Sequence, residues 1–289
     1  MSSRIVILGA GELGGAVAQA VATRDCVRQI VLIDTVESVA SGKALDLKQS
    51  SAIDHFHTQI TGTDDVSIVT GAQVCVIADR AGPPKNEWVD KEGLAMLRQV
   101  LQYGSGAPVI FAGTGQTEML LRSTRDLGTA RERLIGSAPE ALVSAIRAIV
   151  AVEAECSPDE VSLSVLGVPA GGLVVVWSEA TIGGHAVEHM LSQAQLNRLE
   201  TRVAKLWPPG PYTLGAAAAR IVQAVVESGR HRASVLTVLT DEFGVRNRVG
   251  ILQALLGQGG IMQVQVPSLN TRERVKLESA FEKQDQRHA

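Results

Sequence analysis

An α/β fold is predicted for this 289-residue chain: a doubly wound parallel sheet followed by a smaller α+β domain. Three observations carry the expectation. Strand-length apolar runs alternate with helical segments through the first half, which is the pattern of a parallel sheet covered on both faces. A glycine-rich turn joins the first apolar run to the first helix. Beyond residue 137 the alternation gives way to long helices and to strand-like runs set close together, as in an α+β unit.

Taken in order, strands are expected at 4–9, 30–34, 59–62, 74–78, 109–112 and 134–136. Helices fill the gaps up to residue 23, up to residue 48, around 90–103 and from residue 116. Parallel neighbours need long crossovers, so these six runs read as one sheet forming a domain over 1–137. The second domain, 138–289, opens with a helix over 139–155 that leads into β-rich runs at 161–166 and 173–177. The short link between those runs reads as a hairpin or a neighbouring pair. Helices are expected at 191–206 and 213–228, and Gly215 with Ala216, Ala217, Ala218 and Ala219 permits close helix contact. Trp207-Pro208-Pro209-Gly210-Pro211 breaks the chain between them. Strands at 234–239, 249–255 and 261–266 precede a terminal helix. Asn270 caps that helix, and Glu273 reaches back in a capping box.

The turn after the first strand is Gly9-Ala10-Gly11-Glu12-Leu13-Gly14, and Asp34 closes the next apolar run. Strand, glycine turn, helix and an acid about 20 residues on make the Rossmann-type dinucleotide-binding fingerprint. Gly9 permits the turn, Gly11 lets a diphosphate approach the backbone, and Gly14 lets helix and strand pack closely. The N–H groups of the helix start, at Glu12 and Leu13, and the helix dipole favour negative charge there. The Asp34 carboxylate is placed to accept from an adenosine ribose and to repel a 2′-phosphate, so NAD is expected rather than NADP.

Composition narrows the class. Hydrophobic residues make up 45% and charged residues 20%, as in a globular protein with a large core, and a net charge of −3 gives no electrostatic reason to expect nucleic acid or an anionic membrane. No secretory leader and no apolar stretch of membrane-spanning length is visible, so a cytoplasmic protein is expected. Cys26, Cys75 and Cys156 are too widely spaced for a metal motif and read as reduced packing residues. No metal site is expected. His185 and His189 stand four apart without the remainder of a zinc motif, and His55 and His57 show no partner in the sequence.

Several strings resemble the malate/lactate dehydrogenase family over nearly the entire chain. Residues 4–14 with Val31-Leu32-Ile33-Asp34, then Gly42-Lys43-Ala44-Leu45-Asp46-Leu47 and Ile60-Thr61-Gly62-Thr63, are similar to its first three β–α units. Arg133-Leu134-Ile135-Gly136, Val165-Leu166-Gly167 and Tyr212-Thr213 resemble later stretches. The resemblance implies a two-domain fold, an NAD site, a small-molecule substrate and a homo-oligomer, dimer or tetramer. It also implies hydride transfer between NAD and a 2-hydroxy/2-oxo acid, with a histidine as acid/base, an aspartate orienting it and arginines clamping the substrate carboxylate.

Those residues are missing. Read without gaps, the histidine position holds Pro169 and its acidic neighbour Gly171, while the aspartate position holds Leu142 and the following arginine position Ala145. The family's arginine-bearing mobile loop appears as 81–89 with no arginine, and its asparagine-proline pair is replaced by Thr114-Gly115. The threonine-alanine-glycine beside the diphosphate reads Ala78-Asp79-Arg80, which sets a negative charge near phosphates unless Arg80 offsets it. Arg80 and Lys85 are the candidate catalytic or anion-binding groups. Two readings of function follow. One is an NAD-binding pseudoenzyme without malate or lactate dehydrogenase activity; the other is an NAD-dependent oxidoreductase with an altered substrate and a different acid/base group.

Overall fold

The computed structural model describes residues 3–83, 86–104, 106–169, 172–227 and 229–288. The first half runs β1 (Arg4–Leu8), α1 (Glu12–Ala22), β2 (Gln29–Ile33), α2 (Glu37–Gln49), the single turn α3 (Ser51–Asp54), β3 (Gln59–Thr63), β4 (Val74–Ile77), α4 (Asp90–Tyr103), β5 (Val109–Phe111), α5 (Thr117–Arg125) and β6 (Leu134–Gly136). There follow α6 (Ala138–Ala154), β7 (Val161–Ser162), β8 (Val165–Val168), β9 (Gly172–Val175), β10 (Thr181–Ile182), β11 (His185–Ala186), α7 (Val187–Met190) and α8 (Gln193–Val203). The chain ends with α9 (Pro211–Val226), β12 (His231–Leu239), β13 (Arg248–Gly257), β14 (Gly260–Gln265) and α10 (Thr271–His288).

The six expected strands form a parallel sheet in the order β3-β2-β1-β4-β5-β6, so the chain crosses from β3 back past β1 and reverses its winding at the β1/β4 boundary. Their near-continuous apolar composition follows from burial on both faces. Side chains alternate with the pleat: Val6, Leu8, Val31, Ile33, Cys75 and Ile77 enter one core, while Ile5, Ile7, Ile30, Leu32, Val74 and Val76 enter the other. Each such aliphatic side chain contributes about 1.5–3 kcal/mol on burial.

The sheet does not stop at residue 137. β12 pairs antiparallel with β6 at Leu236 and Gly136, and β13, β8 and β9 continue it, with β14 on β13. Gly136 permits this junction, because a Cβ there would lie 2.6 Å from that of Leu236. Helices α1 and α9 cross at Gly215, where an added Cβ would lie 2.7 Å from the Ala16 backbone, so the small-residue expectation holds.

Two expected elements differ in the structure. The run 161–166 is not one strand: β7 pairs with β10 in a separate three-stranded sheet, whereas β8 pairs with β9 and β13. The helix expected over 191–206 begins at Gln193, because Ser192 takes an extended conformation as its N-cap and exchanges bonds with Gln195. Among the described residues no helix is long and apolar enough to cross a membrane.

Candidate functional site: a nucleotide cleft lined by its own carboxylates

The parallel strands end together at β1, β2 and β4, and the loops leaving them build the cleft. Gly9 has φ +110°, and a Cβ on it would lie 2.2 Å from the Asp79 carbonyl oxygen, so only glycine makes this turn. Its N–H donates to the Ile33 carbonyl at 2.7 Å, and the Gly11 N–H donates to the Asp79 carbonyl at 2.9 Å. Gly14 sits so close to the turn that an added Cβ would lie 2.0 Å from the Gly9 carbonyl oxygen. Lys43 reaches from α2 and donates to the Gly11 carbonyl at 2.5 Å.

Helix α1 has no cap of its own, because Gly11 brings no side chain. The cap comes from the end of β4. The buried Asp79 carboxylate accepts from the Gly14 N–H at 2.8 Å and the Leu13 N–H at 3.2 Å. These are the free donors of the first helical turn, and the helix dipole stabilises the negative charge there. The space left by the missing Cβ of Gly11 is filled as well, since an added Cβ would lie 2.4 Å from the carboxyl carbon of Asp79. The backbone of Gly9, Gly11, Glu12, Leu13 and Gly14 therefore has the form that cradles a diphosphate, but the N–H groups of Leu13 and Gly14 carry a side-chain anion.

Asp34 is also engaged. It is 1% exposed, and its Oδ2 accepts from the Ala10 and Ala81 N–H groups, each at 2.8 Å. Its Oδ1 accepts from the Val36 N–H at 3.1 Å and from the Thr35 hydroxyl at 3.4 Å. A carboxylate offers about four acceptor positions, so little capacity remains for a ribose. Asp34, expected to accept from a ribose, here joins the glycine turn to the start of the 81–89 loop.

That loop is itself tied down. Asp79 and Glu87 form an antiparallel bridge, and the Arg80 N–H donates to the Asn86 carbonyl at 2.8 Å. The Arg80 side chain has partners of its own. Its guanidinium turns to Glu92 at 2.5 Å and to Asn86 Oδ1 at 3.0 Å, and lies 4.9 Å from the ring centroid of the buried Trp88. The guanidinium of the candidate Arg80 is thus engaged by the protein itself, and the other candidate, Lys85, lies outside the described residues.

Glu87 performs at β5 what Asp79 performs at α1. Its carboxylate accepts from the N–H groups of Thr114 at 3.1 Å and Gly115 at 2.9 Å, and a Cβ on Gly113 would lie 2.2 Å from Glu87 Oε2. Behind it the buried Gln116 accepts from the Gly113 N–H and donates to the Ala78 carbonyl, joining the two loops. Sequence reasoning missed Glu87 and Gln116. The signal was present in Gly113-Thr114-Gly115, a turn with free N–H donors that calls for an acceptor.

Across the cleft, α6 buries Leu142 completely and leaves Ala145 half-buried, while Pro169 stands at the turn leaving β8. Neither apolar side chain nor the proline ring offers a proton-exchanging or charged group. Gly171 lies outside the described residues. The two histidine pairs belong elsewhere: His185 is in β11 and His189 in α7, and among the described residues no cluster is arranged to hold a metal. His57 does have a partner, as its Nδ1 lies 3.0 Å from Asp25, an acid 32 residues distant in sequence.

Residues 3–97 match the family described as the NAD-binding domain of lactate/malate dehydrogenase. The chain is 28% identical to the malate dehydrogenase of Cytophaga hutchinsonii, over 96% of this chain and 94% of that one. It is 26% identical to that of Dehalococcoides mccartyi, over 96% of each. Among solved structures, the malate dehydrogenase of Salinibacter ruber superposes with a TM-score of 0.85 at 24% identity, covering 99% of this chain and 96% of that one. The lactate dehydrogenase of Cryptosporidium parvum, complexed with lactic acid and NAD, gives 0.88 at 20% identity with the same coverage. The first 97 residues thus match the NAD-binding domain of that family, and nearly the whole chain is similar to malate dehydrogenases in sequence and to malate and lactate dehydrogenases in fold.

Proposed function

We propose that this chain keeps the NAD-type fold of its family without performing the family's hydride transfer between NAD and a 2-hydroxy/2-oxo acid. What carries the proposal is Pro169, which an ungapped reading of residues 136–172 puts at the position of the proton-exchanging histidine in the similar dehydrogenases. Its ring has no proton to donate and no basic nitrogen to receive one. Loss of general acid/base action alone costs typically 10²–10⁴-fold in rate. Leu142 and Ala145 remove the orienting acid and a carboxylate-binding guanidinium as well, and with them the positioning that contributes a further large share of rate.

The alternative, an oxidoreductase with a new acid/base group, finds no support in Arg80, which is held by Glu92, Asn86 and Trp88. What remains is a nucleotide-type binding module. The test is purified protein with NADH and either oxaloacetate or pyruvate, followed by NADH absorbance. No turnover above the blank is expected, and saturable oxidation of NADH overturns the proposal.

A further inference from the structure

We infer that Asp79 is a built-in competitor for the dinucleotide diphosphate: its carboxylate holds the Leu13 and Gly14 N–H groups, so the chain as it stands disfavours NAD and NADH, and a neutral residue at 79 admits them. The inference rests on the reading of this cleft as a dinucleotide cleft whose reaction is lost, and it adds the residue that controls entry.

Two independent features support it. The first is coincidence of place and charge. A diphosphate at a glycine turn uses the N–H groups of the first helical turn and the space above the second glycine. Here the Gly14 bond of 2.8 Å, the Leu13 bond of 3.2 Å and the volume above Gly11 all belong to Asp79. An arriving phosphate must displace a carboxylate already seated in a buried position, and it meets like charge while doing so. Arg80, the adjacent cation in sequence, is turned to Glu92.

The second feature is that the same segment closes a second set of donors. The Asp79–Glu87 bridge and the Arg80 to Asn86 bond hold both acids on one short ladder. From it Asp79 reaches the start of α1, and Glu87 reaches Thr114 and Gly115. At both places the volume that a missing Cβ leaves open, at Gly11 and at Gly113, is filled by a carboxylate of the protein itself. A backbone shaped for an external anion has acquired internal ones.

The experiment is calorimetric titration of the full chain and of Asp79→Ala with NADH, with adenosine as the ligand that lacks phosphate. Asp79→Ala is expected to bind NADH at least about tenfold more tightly than the parent, equivalent to about 1.4 kcal/mol. Adenosine affinity is expected to change by less than about threefold, about 0.7 kcal/mol on the same scale. Asp79→Asn, which keeps the side-chain volume and loses the charge, provides the same comparison if the alanine variant folds poorly, as judged by circular dichroism. Equal NADH affinity in parent and neutral variants overturns the inference, whether both bind or neither does. An equal gain for adenosine also overturns it, because the cleft has then opened generally. Turnover is scored separately: an Asp79→Ala protein that binds NADH and oxidises it with oxaloacetate confirms the competitor and refutes the loss of reaction. One that binds without turnover supports both.

Discussion

Replacing Asp34 by alanine tests whether this acid is a structural fastener. The substitution removes the acceptor for the Ala10, Ala81 and Val36 N–H groups at 2.8, 2.8 and 3.1 Å. Ala10 is 1% exposed and its N–H faces the vacated position, so it becomes a buried unsatisfied donor at a cost of about 1–3 kcal/mol. Ala81 and Val36 lie nearer solvent, where water replaces the lost partner, and each loses about 0.5–1 kcal/mol. The sum is about 3 kcal/mol. Equilibrium urea unfolding followed by tryptophan fluorescence measures it, as a lowered midpoint at unchanged slope. A loss below about 1 kcal/mol at unchanged slope refutes the reasoning, since Asp34 would then be dispensable to the turn.

Two further outcomes are expected. Burial tends to raise the Glu242 carboxyl, but N–H bonds from Thr240 and its own backbone, with the Arg131 guanidinium 2.8 Å away, outweigh it and hold the group below the usual carboxylate range. The folded state therefore favours the ionised form; its stabilisation is fully present above the unfolded value of about 4.3 and is lost as pH falls through the lower folded value. Urea midpoints of the parent and Glu242→Gln should differ by a constant amount near neutral pH and converge below about pH 4, and a difference unchanged down to about pH 3 refutes this. Cys75 is fully buried, and that burial raises its thiol to about 12 against a lowering by Arg133. A disulfide reagent under native conditions near pH 8 should leave Cys75 unlabelled until the chain is unfolded, and rapid native labelling mapped to Cys75 contradicts its burial.

What could be read from the chain was whatever depends on near neighbours. The glycine turn was legible because Gly9, Gly11 and Gly14 act within one strand-to-helix junction. The cap of α10 was legible for the same reason: Asn270 Oδ1 accepts from the Glu273 N–H at 2.9 Å, and Glu273 returns the bond to the Asn270 N–H at 3.1 Å. The parallel pairing of the first six strands followed from their alternation with helices, since parallel neighbours need long crossovers. Pro169, Leu142 and Ala145 drew notice only through the resemblance, by an ungapped reading of residues 136–172.

Less was legible where one local signal fitted two arrangements. Residues 161–166 have the composition of one strand, and only the partners available, β10 for β7 and β9 with β13 for β8, divide them between two sheets. The division is a property of the sheets and not of the six residues.

The sequence by itself determined the α/β fold class, the glycine turn and the terminal capping box, all of which are set by residue type and short spacing. Tertiary structure alone decided how the cleft is filled. Asp79 and Gly14 are 65 residues apart, and no local rule says that the carboxylate of one will cap the helix that begins beside the other. That pairing exists because β1 and β4 are neighbours in the sheet, so the exit of one strand faces the helix leaving the other, and the charge there settles on the nearest free N–H groups.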